Sequence, residues 1–175
     1  MVDVGAKRET ARRAVARGRV LLSASTVVAL RAGEVPKGDA VAVARIAGIM
    51  GAKRTPELVP LCHPIRLSGV RVEVVVTDSG VDIEAEVSTT DRTGVEMEAL
   101  TAVAVAGLSV VDMVKALDPA ATITDVAVVS KAGGTSPDWS RGPLPATSAL
   151  PAPSATSAQP ATSAAAGTVT EERTS

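Results

Sequence analysis

Between Thr93 and Leu117 the chain reads TGVEMEALTAVAVAGLSVVDMVKAL, a pattern that predicts one long helix. Thr93 and Glu96 stand at capping-box spacing, which would satisfy two amide donors at a helix start. From Ala99 to Val111 nearly every side chain is small and apolar, including Ala102, Val103, Ala106 and Val110. A helix that is apolar all round is buried on most sides. Asp112 and Lys115 are three apart and share one face, and Pro119 ends the run. The stretch predicts a buried rod with two carboxylates, Glu96 and Glu98, at its head and an Asp–Lys pair near its tail.

A buried rod needs a surface to lie on, and its flanks supply one. From Ser68 the period changes to two. Val70, Val72, Val74 and Val76 alternate with Arg71, Glu73, Val75 and Thr77. Asp78-Ser79-Gly80 turns, and Val81, Ile83, Ala85 and Val87 then alternate with Asp82, Glu84, Glu86 and Ser88. This is an antiparallel hairpin with one face towards a core. After the rod, Thr122–Ser130 reads as a last strand and Lys131-Ala132-Gly133-Gly134 as an exit loop.

Further out, Thr10–Ser23 has a partial alternation that favours a first strand, despite Gly18. Ser25 and Thr26 offer caps for a short helix ended by Gly33. Asp39 is suited to cap a helix over Ala40–Ala52 whose face of Ala40, Ala44, Ala47, Gly48 and Gly51 is flat. Each interior glycine costs about 1 kcal/mol against alanine, so the pair implies a closely packed backbone, a second subunit being one candidate. Thr55-Pro56-Glu57 starts another helix, and Pro60 and Pro64 frame Leu61-Cys62-His63 in an extended loop. The order is strand, helices, hairpin, long helix, strand. It predicts an α+β fold, an antiparallel sheet with helices packed on one face in a ferredoxin-like topology.

Composition sets the outer limits. The 175 residues are 46% hydrophobic, enough for one domain over 1–140. From 141 to 175 Ala, Pro, Ser and Thr dominate and Ala-Thr-Ser recurs, a composition expected to stay disordered. A net charge of -1 offers no basic field for nucleic acid or membrane. No run approaches the roughly 20 apolar residues that span a bilayer. The single cysteine, Cys62, excludes an internal disulfide and fits a reducing compartment, and the charged N-terminus has no signal-peptide core. The chain is expected in the cytoplasm. With no Phe or Tyr and only Trp139, it lacks the platforms on which single-strand binders stack bases.

Several residues invite a chemical role beside a structural one. His63, the only histidine, adjoins the only cysteine, but no Cys/His cluster exists to complete a metal site. Adjacent residues of an extended loop point apart, which disfavours a Cys–His nucleophile. A structural histidine and a ligand-contacting one both fit. Glu96 has the capping task. Glu98 has none beyond the helix dipole, and could accept hydrogen bonds from the amino edge of a purine or pterin. Asp112 beside Lys115, on a helix this apolar, suggests a partly buried proton-transfer pair. Lys37, Lys53 and Lys131 lie at element ends and could converge on a polyphosphate, although no phosphate-loop motif is present. Glu98 and Asp112 are about 21 Å apart at ~1.5 Å per residue. If both act on one small molecule, a second copy of the chain must complete the pocket.

The segments MVDVGAK, KGD, ARIAGIMGAKRT, PLCHP, TGVEMEALTA, DMVKA and KAGG occur in this order over essentially 1–136. Together they resemble the MoaC family, the cyclic pyranopterin monophosphate synthases of molybdenum-cofactor biosynthesis. The resemblance implies a ferredoxin-like subunit assembled as a homohexamer, a trimer of dimers, with active sites at subunit contacts. It implies conversion of 3′,8-cyclo-7,8-dihydro-GTP to cyclic pyranopterin monophosphate with release of pyrophosphate. Asp112, Lys115 and Lys37 then match catalytic positions. Leu61, Cys62, His63, Glu96, Met97, Glu98 and Lys131 match substrate-contacting positions, and Asp3 and Lys7 an arm that orders over the ligand. No cofactor is required by it, and magnesium with the triphosphate is compatible. Val111 and Val114 stand where the family usually has tyrosine and cysteine, and Thr135 and Pro137 where it has lysine and glycine. The alternative implied by the same residues is a paralogue that binds a purine nucleotide without turning it over.

Overall fold

The computed structural model describes residues 1–134 and 136–142. The hairpin forms where the alternation places it, as β2 (Leu67–Thr77) and β3 (Gly80–Asp91). Val72, Val74, Val81, Ile83, Ala85 and Val87 are buried on its inner face. β1 (Thr10–Leu21) pairs antiparallel with β3, and β4 (Thr122–Ala132) pairs antiparallel with the other edge of β1. A two-residue strand, β5 (Trp139–Ser140), follows on β4 and was not expected. The sheet order is β2-β3-β1-β4-β5. Its first four strands follow the split β-α-β arrangement of the ferredoxin-like fold.

The helices fill the inner face. They are α1 (Ala24–Ala32), α2 (Ala40–Lys53), the single turn α3 (Thr55–Leu58) and α4 (Glu96–Val114). α4 lies across β1, β3 and β4, and α2 lies beside it over β2. The flat face of α2 explains the close approach. A Cβ on Gly48 would stand 2.9 Å from the Ala102 carbonyl oxygen, and one on Gly51 would stand 2.9 Å from Val105 Cβ. The backbone those glycines admit is therefore α4 of the same chain, with Ala44, Ala52, Ala102 and Ala106 sealed between the helices.

On the opposite face Arg13, Arg17 and Arg19 of β1 meet Glu86, Glu84 and Asp82 of β3, the last two pairs at 2.6 and 2.9 Å. Exposed pairs of this kind contribute little stability, ~0–1 kcal/mol each. They do give the sheet a charged outer surface instead of an aromatic one.

Four expectations change. α4 starts at Glu96 with Val95 as N-cap and no side-chain cap, so the Thr93–Glu96 capping box does not form. α4 is buried on most sides as expected, with Leu108 60% and Met97 40% exposed on the remainder. By length and composition α4 could cross a bilayer, against the expectation that no run could, but here it is the core helix of the layer. Ser23, not Ser25 or Thr26, caps α1, accepting from the Thr26 amide. β4 continues through Lys131 and Ala132, so Lys131 projects from a strand end rather than a loop. Of the expected tail, Arg141 and Gly142 are described. The Arg141 amide donates to the Val129 carbonyl and its guanidinium to Val128, 5.6 Å from the Trp139 ring centre. The remainder, with Thr135, lies outside the described residues.

Candidate active site

The head of α4 opens between two lobes of one cleft. Glycine at 94 shapes the entrance, because a Cβ there would fall 1.9 Å from Glu96 Oε2. Only a bare backbone lets that carboxylate fold back over the turn. It reaches Lys131 Nζ at 3.3 Å.

The first lobe, about 160 Å³, is basic: Lys7, Arg12, Arg13, Arg92 and Lys131 surround the backbone of Thr93–Glu96. The second, about 340 Å³, sets Leu61, Cys62 and His63 against Met97 and Glu98, and shares Thr93, Gly94 and Glu96 with the first. Eight of the nine expected binding residues, all but Asp3, thus line one two-lobed cleft. The proline-framed loop brings Cys62 and His63 to it together.

Burial sets the electrostatics. Glu98 is 3% exposed, and this desolvation, with Glu96 nearby, pushes its carboxyl above the ordinary 4.5. The Cys62 thiol is also pushed up, by burial and then by Glu98. A raised thiol is a poor nucleophile at neutral pH.

The N-terminal arm reaches the same cleft. Asp3 Oδ1 accepts the Gly5 amide at 2.8 Å and serves the arm's own turn, while Lys7 lines the basic lobe.

The other expected set lies at the far end of α4. Asp112 Oδ2 accepts from Lys37 Nζ at 2.7 Å and Oδ1 from Lys115 Nζ at 2.8 Å. Asp112 is not partly buried as expected; its side chain is 54% exposed. The two lysines hold the carboxyl at about 2 against an ordinary 3.8. Lys37, Lys53 and Lys131 do not converge within one chain. Lys53 borders a smaller cavity of about 150 Å³ under Glu98 and Ile65, Lys131 faces Glu96, and Lys37 is committed to Asp112. Fourteen residues of continuous helix, ~21 Å, separate the two sets.

Arg12, Arg13 and Arg92 are the basic residues that sequence reasoning passed over. Arg13 reads as the outward residue of a strand, and so it is, paired with Glu86. The available signal was Arg92 directly before TGVEME, on the loop that leads into the head of α4.

The MoaC family model matches residues 1–134, a span that holds every site residue named above. A Streptomyces avermitilis protein named cyclic pyranopterin monophosphate synthase is 65% identical over 81% of this chain and 83% of its own length. One of the same name from Nocardioides sp. is 63% identical over 81% of this chain and 88% of its own. From Mycobacterium tuberculosis, cyclic pyranopterin monophosphate synthase 2 is 53% identical over 81% and 84%. Family model and relatives each cover most of the chain, and the chain belongs to the MoaC family.

Proposed function

We propose that this chain is a cyclic pyranopterin monophosphate synthase, converting 3′,8-cyclo-7,8-dihydro-GTP to cyclic pyranopterin monophosphate and pyrophosphate. The observation that carries the reading is the match to relatives of that name over about four-fifths of this chain, 81%, with the two-lobed cleft inside it.

The chemistry fits the lobes. Closing the cyclic phosphate requires a substrate hydroxyl to attack the α-phosphorus while the bond to the β-phosphate breaks and pyrophosphate leaves. Charge grows on the departing oxygens, and prearranged cations such as Lys7 and Lys131 stabilise it there. The uncapped head of α4 adds its dipole to the same end. In the other lobe Glu98, held towards its neutral form, suits the amide and amino edge of the base, with His63 opposite. Opening the purine ring and closing the pterin move several protons. Asp112, Lys37 and Lys115 are the groups that hold and pass them.

The two ends of α4 act together only if a neighbouring copy brings its Asp112 cluster to this cleft, so the working form is a homo-oligomer, a hexamer built as a trimer of dimers. Magnesium would enter on the triphosphate. The reaction is placed in the cytoplasm, where Cys62 stays reduced. Incubation with the cyclised substrate, following pyrophosphate and the cyclic product, tests the reading. Tight binding without pyrophosphate release would make the chain a nucleotide-binding paralogue instead.

A further inference from the structure

We infer that Arg92 is a positioning residue: it clasps the N-terminal arm so that Lys7 enters the basic lobe. The inference rests on the proposed reading only in naming the triphosphate as the lobe's ligand. The clasp itself stands on the geometry around residues 3–9 and 91–92.

The arm has little of its own to hold it. Within residues 1–9 its internal hydrogen bonds are the Asp3–Gly5 contact and a turn closed by the Lys7 amide on the Val4 carbonyl at 3.0 Å. Met1 and Val2 are more than 70% exposed, so no apolar anchor fixes the start of the chain. What reaches the arm from the body of the protein is Arg92. Its Nη1 donates to the Gly5 carbonyl at 3.1 Å, and its Nε faces Glu9 Oε1 at 3.7 Å. The guanidinium therefore grips the arm on both sides of Lys7.

Arg92 is itself held in register. Asp91 Oδ1 accepts its amide at 2.6 Å, and Arg12 donates to the Asp91 and Arg92 carbonyls at 2.9 and 3.1 Å. The two arginines divide the work. Arg12 fixes the loop before α4, and Arg92 carries that position across to the arm. A planar fork suits this task because it can serve a carbonyl and a carboxylate at once.

Arg92 Nε is buried yet makes no hydrogen bond, since 3.7 Å to Glu9 is an ion-pair distance only. An unpaired buried donor is costly. A small inward shift of the arm would turn this contact into a hydrogen bond, so the arm has a tighter position to adopt when an anion draws Lys7 inward.

Inorganic tripolyphosphate, titrated calorimetrically into the full-length protein, tests the clasp without requiring turnover. Lys7→Ala should weaken binding on the order of ten-fold, the loss of one charge-assisted contact. Arg92→Ala should weaken it similarly, and the double variant should bind no worse than either single one, because both remove the same Lys7 contact. Additive losses would mean that Arg92 meets the phosphate itself and would overturn the inference; so would an unaltered affinity in Lys7→Ala. Hydrogen exchange separates a misfolded variant from a released arm. Arg92→Ala should speed exchange of the Lys7 amide while the β1 and α4 amides stay protected, and an unchanged Lys7 amide would also sink the proposal. Failure of the synthase reading would appear elsewhere, as absent pyrophosphate release by the unaltered protein.

Discussion

Asp112 has both carboxylate oxygens taken by ammonium groups, Lys37 on one and Lys115 on the other. With a folded carboxyl at about 2, it is ionised throughout the physiological range. The stabilisation from its pairing is complete above the ordinary value of 3.8 and disappears as pH falls through about 2. Asp112→Asn keeps the shape, removes the charge and frees the lysines from their shared partner. Turnover should fall by roughly 10²–10⁴, the usual worth of a positioned proton-transfer group, with the circular dichroism spectrum and assembly unchanged. Unaltered pyrophosphate release would remove Asp112 from the mechanism. Glu98 behaves oppositely. Its folded carboxyl lies above 4.5, so the native state binds more protons than the unfolded chain just above that pH, and stability falls as pH rises through the window. Glu98→Gln should therefore unfold at a higher temperature than the parent at pH 7 and at the same temperature below about pH 4.5. A gain that persists at low pH would show that the carboxyl is not held neutral by its surroundings.

The elements differ in how far their own residues determine them. The hairpin was legible because a strict period of two over Val70–Val76 and Val81–Val87 has one reading. α2 was legible for the same kind of reason, with Asp39 accepting the Ala42 amide as its cap. The start of α4 was not. Thr93 and Glu96 have the right spacing, yet Arg12 holds the Asp91 and Arg92 carbonyls from another strand, and Glu96 turns back towards Lys131. Tertiary hydrogen bonds override the local cap. β5 escaped because two edge residues have no periodicity to read. The α2–α4 contact yields a prediction at this scale. Gly48→Val would drive a Cβ to 2.9 Å from the Ala102 carbonyl oxygen, a backbone atom that cannot swing aside. Overpacking of this kind costs about 1–3 kcal/mol, which denaturant unfolding would register as a lower midpoint. An unchanged midpoint would mean that the helices slide apart at no cost.

At the scale of the whole molecule, the separation of the two candidate sets to the ends of α4 was legible in the 14 residues from Glu98 to Asp112, because a continuous helix turns sequence distance into length. Which surface would bring the ends of different copies together in the proposed oligomer was not legible, since apolar residues exposed on one chain, such as Ile46, Met50 and Leu108, do not name their partners. The division can still be tested without that knowledge. Lys131→Ala disables the head cleft and Asp112→Asn disables the tail cluster, so each homogeneous assembly should be inactive. If every site joins the head of one copy to the tail of another, some sites in a mixed assembly draw both halves from intact ends. Random pairing of equal amounts then restores on the order of a quarter of the parent rate. The mixture must be unfolded and refolded together, or co-expressed, so that subunits exchange. Recovery near that fraction requires shared sites. Activity no greater than the sum of the separate variants, in assemblies shown by mass to be mixed, would place both halves of the chemistry within one chain and leave the helix length unexplained.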